Sequence, residues 1–145
     1  MTLNFLLKIH LFTSFYMTGI IWLVQVIHYP LFNLVSSNNW QDYHAKHIRG
    51  TSLVIAAPMF TELLSLCAIF YLAPAYRGHY LMLSSFFLLL IIWLTTFLIS
   101  VPIHNQLALE FNQGSCKKLT QTNWIRTISW SLKSLILLYW LSLNY

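Results

Sequence analysis

Thr51-Ser-Leu-Val-Ile-Ala-Ala-Pro58-Met-Phe-Thr-Glu62-Leu-Leu-Ser-Leu-Cys67-Ala-Ile-Phe-Tyr-Leu-Ala73 is long and apolar enough to cross a hydrocarbon layer, and near its middle stands a carboxylate. About 20 predominantly apolar residues are needed for such a crossing. An acidic side chain at that depth costs roughly 2.5–3.5 kcal/mol on insertion scales, so it turns toward a partner or a wet cavity rather than toward lipid. Glu62 is therefore the first pointer to a polar site.

Working outward, three further stretches read the same way, about 9–29, 80–101 and 124–143, and together they take up most of the 145 residues. Hydrophobic residues make up 58% of the chain and charged ones 8%, against ~25% charged in an ordinary soluble domain. The expected fold is all-α: a single integral membrane four-helix bundle over 1–145, antiparallel and up-down, with connections at about 30–50 and 102–123. Lys8 before the first apolar run imitates a signal peptide. The run is too long for one, no small-residue cleavage site follows it, and Gln25, His28, Tyr29 and Pro30 occupy its end, so a retained helix is expected.

Orientation follows from the basic residues. Lys46 and Arg49 lie in the first connection, and Lys117, Lys118 and Arg126 in or near the third, against Lys8 and Arg77 on the other side. The positive-inside rule then puts connections one and three in the cytoplasm and both termini outside, as in a bacterial inner membrane. The net charge of +5 reads as this topology signal plus contact with anionic lipid; no stacking platform or motif for nucleic acid accompanies it. The bilayer is the expected partner, with a small hydrophobic ligand and a homo-oligomeric or membrane partner chain as further candidates.

Cys67 and Cys116 form no C-x-x-C, which disfavours a disulfide exchanger and leaves structural thiols as the default. Polar residues fall on helical stripes instead. Asn123, Arg126, Thr127, Trp130, Lys133 and Ser134 recur at spacings of three and four in the last helix. Trp22, Gln25, His28 and Tyr29 do so in the first, and Trp93, Thr96, Ser100 and His104 in the third. Glu62 is eleven residues past Thr51 and Lys133 ten past Asn123, so at ~1.5 Å rise both lie about 15 Å from the same boundary and can meet. The pair is a catalytic candidate, Glu62 as proton acceptor; equally, it is a contact that fixes helix packing. Pro58, one turn before Glu62, predicts a kink that frees the carbonyl of Val54, lining a cavity or only shaping the bundle.

His28, His44, His47 and His104 gather on the cytoplasmic side. Neutral imidazole is the commonest side-chain metal ligand, so His28, His47 and His104 are candidates for a transition metal or haem iron. Interfacial histidines that only hydrogen-bond are equally ordinary, and the chain lacks H-E-x-x-H and the acids of a four-glutamate di-iron site. His10 and His79, on the opposite side, read as incidental.

Trp22-Leu-Val-Gln-Val-Ile-His-Tyr-Pro30, the Tyr43 to His47 segment, Pro58-Met-Phe-Thr-Glu62, Val101-Pro-Ile-His104 and Thr122-Asn-Trp-Ile-Arg-Thr127 together resemble a family of small uncharacterised bacterial four-helix integral membrane proteins. More distantly, the four-helix plan with a late proline-histidine element is similar to the anthrone-oxygenase-like membrane family. The first resemblance implies the fold and spans nearly the whole chain. The second rests on architecture, and fold alone does not establish chemistry.

Two classes of function follow. In one, a pocket open to the cytoplasmic side binds a small apolar ligand or a redox cofactor, with Glu62 and Lys133 at its floor. Trp22, Gln25, Tyr43, Trp93, Thr96, Asn123, Arg126 and Trp130 line it, and an oxygenase or oxidoreductase acting on a lipid-soluble substrate would fit. In the other, the polar residues serve helix packing in a structural or accessory subunit of a membrane complex. A channel or transporter is a weaker third option, since four helices need oligomerisation to form a pore.

Overall fold

A computed structural model describes residues 2–144, and it is helical nearly throughout. Four long helices account for it: α1 (Thr2–Leu34), α2 (Ser37–Leu72), α3 (Tyr80–Leu109) and α4 (Gln113–Asn144). The first three are long and apolar enough to cross a membrane. A short 3₁₀ turn, Pro74–Gly78, joins α2 to α3.

The helices run well past the spans expected from hydropathy. Nearly all of the expected connection 30–50 is helical, ending α1 and beginning α2, and the connection 102–123 is divided between the end of α3 and the start of α4. Hydropathy marks only the fully apolar part of a helix. The extensions are held instead by specific contacts: Trp40 Nε1 donates to the carbonyl of Leu107 at 2.7 Å, and Gln41 Nε2 to that of Leu109 at 3.0 Å. These satisfy carbonyls that the end of α3 would otherwise leave orphaned. At the start of α4 the Asn112 carboxamide accepts the Ser115 N–H at 2.8 Å, a side-chain cap.

α2 continues as α-helix through Pro58. The departures from α geometry occur elsewhere, at Val24–His28 in α1 and Thr96–Ser100 in α3, both π-helical. In each, a backbone N–H reaches five residues back, Tyr29 to Val24 and Val101 to Thr96. Each widened turn runs into a proline, Pro30 or Pro102, at the start of the next α segment. Proline has no N–H and its ring crowds the carbonyl four residues back, here Val26 and Leu98, inside the π turns. Widening the turn relieves that clash, and such bulges concentrate at functional sites.

Two apolar clusters fill the interior. Met17, Ile21, Val24, Phe32, Trp40, Ile103, Leu107, Leu119 and Trp130 belong to one; Leu7, Leu66, Ile69, Met82, Leu89, Leu137 and Trp140 belong to the other. Along α1, α2 and α4 a fully polar layer separates them: His10 and Ser14, Glu62 and Ser65, and Lys133. α1 packs closely on α2 and on α4, and α4 packs on α3. α2 and the Tyr80–Thr95 part of α3 meet instead through rings, Phe60 on Trp93 and Phe70 on Phe86.

Candidate functional site

The polar layer is a closed hydrogen-bonded unit. Lys133 Nζ lies 2.7 Å from Glu62 Oε1, and both side chains are 0% exposed. The ammonium also donates to Ser14 Oγ at 2.6 Å and to His10 Nε2 at 3.1 Å, so its three hydrogens have three acceptors. Ser14 donates to Glu62 Oε1 at 2.7 Å, and the Trp130 indole N–H reaches Glu62 Oε2 at 3.0 Å. Because His10 Nε2 accepts from Lys133, Nδ1 carries the proton and donates to Ser65 Oγ at 2.9 Å; Ser65 in turn donates to the Glu62 carbonyl at 3.0 Å. Every charge removed from water here is matched by a partner, the condition under which a buried pair is tolerated.

The expected meeting of Glu62 with Lys133 is present, and His10 is part of it rather than incidental. Sequence reading missed His10, Ser14 and Ser65. The signal was available: His10, Ser14 and Thr18 recur at four-residue spacing, which marks one face of α1. Thr18 continues that face, lying 2.9 Å from Ser134 Oγ.

A second network occupies the Trp40 end. Gln25 donates to the Thr120 carbonyl at 3.1 Å and accepts from Asn123 Nδ2 at 2.8 Å. Asn123 Oδ1 accepts from both Nε and Nη2 of Arg126. The guanidinium continues to Tyr29 Oη at 3.2 Å, Tyr29 to His104 Nε2 at 3.2 Å, and His104 Nδ1 to His44 Nε2 at 3.2 Å. Guanidinium can only donate, so the Tyr29 oxygen accepts from Arg126; the tautomers of His104 and His44 set the direction of the two links beyond it. Tyr29 directly follows the π turn in α1 and reaches across to Arg126 of α4.

The four histidines do come together. Ring centroids lie 5.6 Å apart for His28 and His47, 5.9 Å for His47 and His104, and 5.4 Å for His44 and His104. Phe32 sets its edge on His47 at 4.9 Å, and Trp40 stacks on His44 at 5.2 Å. Both nitrogens of His104 are already hydrogen-bonded, however, and among the described residues no three histidine, cysteine or acidic side chains are placed to hold a metal ion. As arranged, His28, His47 and His104 are not placed to hold a metal ion between them.

Between α2 and α3 lies a cavity of about 330 Å³. Ile21, Val24, Ile55, Met59, Trp93 and Phe97 form apolar walls, while Tyr29, His47, Thr96, Ser100, His104 and Arg126 form a polar end. Trp93 Nε1 and Ser100 Oγ are buried without a partner. Of the expected ligand-binding residues, Trp93, Thr96 and Arg126 line this cavity. Gln25 and Asn123 stand behind Arg126 and position it. Trp130 is turned to Glu62, and Tyr43 packs on Phe32 and Trp40. Trp22 is 43% exposed, its ring against Trp124 and its N–H on Ser131. Glu62 and Lys133 are not in the cavity wall; Met59, one turn from Glu62, closes it on that side. Cys116 is buried, which raises its thiol pKa, and Cys67 is exposed; both are free.

No family model, curated protein or solved structure matches the chain.

Proposed function

We propose that the chain is an integral membrane protein, an antiparallel up-down bundle of four helices, whose cavity between α2 and α3 binds a small amphipathic molecule. The observation that carries this is the cavity itself: apolar walls and a polar end of Arg126, Tyr29, His47 and His104. Apolar pockets with a few convergent polar groups are the usual form of a small-molecule site, and about 300–1,000 Å³ is their usual size. Membrane insertion is supported by the outward residues, which include Phe5, Leu53, Leu64, Leu98 and Leu135, each more than half exposed. Apolar surface on this scale has no place in water. The basic residues favour a bacterial inner membrane with the Trp40 end in the cytoplasm and both termini outside.

Binding rather than turnover is the activity proposed, because Glu62, the one buried carboxylate among the described residues, is engaged at both oxygens and lies outside the cavity wall. The Glu62–Lys133 layer serves helix packing. Native mass spectrometry of protein released from nanodiscs tests the binding reading. A small copurifying amphiphile is expected on the natural chain and should be lost when Ala56→Trp fills the cavity; equal occupancy in both would refute the site.

A further inference from the structure

Resting on that reading, we infer that the ligand is a single-chain amphiphile with an anionic head, a carboxylate or a phosphate, which slides in sideways between α2 and α3 and brings its charge to Arg126. Arg126 is 6% exposed and lines the polar end of the cavity. Its partners are the Asn123 carboxamide oxygen, the Tyr29 hydroxyl and, at 3.5 Å, Thr96 Oγ1. All are neutral dipoles. The chain has three acidic residues. Asp42 pairs with Lys46 and Glu62 with Lys133, while Glu110 is exposed beyond the end of α3. Among the described residues, then, the buried guanidinium has no counter-ion, a costly state for a desolvated charge.

The unused donors point the same way. Arg126 Nη1 has only the long contact to Thr96, past the ~2.7–3.2 Å of a good N–H···O bond. Trp93 and Ser100 belong to the lining, and neither Trp93 Nε1 nor Ser100 Oγ has a hydrogen-bond partner; both atoms are buried within the wall. A site that presents a fixed cation with a poorly used N–H donor, and no carboxylate in its lining, selects an acceptor-rich negative group. The chain's route is equally visible. Phe60 of α2 and Phe97 of α3, more than half exposed, frame the outer side of the cavity where the two helices meet through rings. An apolar tail can lie between them while the head sits within.

The test uses the full chain in phosphatidylcholine nanodiscs, with energy transfer from tryptophan to cis-parinaric acid as the signal and displacement by dodecanoate, dodecyl phosphate or dodecanol as the readout. Saturable transfer is expected, with at least one anion displacing at least tenfold better than dodecanol; the stronger of the two names the head. Arg126→Gln should abolish the difference between anion and alcohol, and Trp93→Phe, which keeps the ring and removes the donor in the wall, should weaken the anion several-fold, read by displacement. Dodecanol displacing as well as both anions would overturn the anionic head and leave the cavity reading standing. An absence of saturable transfer would take down both. Undiminished selectivity in Trp93→Phe and Arg126→Gln would overturn the assignment of the head to this end of the cavity. Should Arg126→Gln fail to fold, the natural chain's displacement series and Trp93→Phe still decide.

Discussion

Lys133 has three ammonium hydrogens and three acceptors, Glu62, Ser14 and His10, none of them with access to water. Removing one member strands the rest. Lys133→Met leaves a buried carboxylate unpaired and should cost about 3–5 kcal/mol, seen as a lowered thermal midpoint in detergent. The double change Glu62→Leu with Lys133→Met should recover much of that loss. Glu62→Gln keeps an oxygen for Lys133 and Ser14 and should unfold at a higher temperature than Glu62→Leu; equal midpoints would mean the contact contributes nothing. His10→Phe removes the acceptor of one N–H and should cost about 1–3 kcal/mol. The Glu62–Lys133 contact was legible in sequence because depth along a helix can be counted. His10 was not found, although its spacing to Ser14 and Thr18 carried the information, because a histidine near the start of a chain looks like a surface group until its neighbours are placed.

At the scale of elements, the two π turns do what their prolines alone would not. Each inserts one residue into a helix and rotates everything after it, bringing Tyr29 to Arg126 and His104 to Tyr29. Pro102→Ala removes the ring that crowds the Leu98 carbonyl and should return α3 to uniform α geometry with its length unchanged. Helix content by circular dichroism should stay the same while retention of the copurifying amphiphile falls, since His104 and Ser100 would swing out of the cavity. If the amphiphile is kept, the π turn has no part in the site. Sequence reading placed a kink at Pro58 and saw Pro30 and Pro102 only as helix ends. The helices in fact run on beyond both of the latter, because Trp40 and Gln41 secure the extension of α3. Hydropathy registers apolar composition, and such tertiary hydrogen bonds leave no trace in it.

Across the whole molecule, the proposed topology is open to direct test. With Cys67 and Cys116 replaced, a cysteine at Ser37 or Gln113 should react with a membrane-impermeant maleimide only from the cytoplasmic side, and one at Arg77 only from the other. Of the four spans expected, three lie in helices long and apolar enough to cross a membrane, and the helical class could be read from composition. The cavity could not, because it exists where α2 and α3 fail to pack closely, and that gap depends on how Phe60, Trp93 and Phe97 fill space. The gap also makes the molecule mechanically uneven. Three seams, α1 with α2, α1 with α4 and α4 with α3, are closely packed, whereas the fourth is held by rings between the Trp40 end and the Pro74–Gly78 turn. Strain applied in the plane of a bilayer would therefore be taken up along that seam first, and a thinner or more stretched membrane would widen the cavity there.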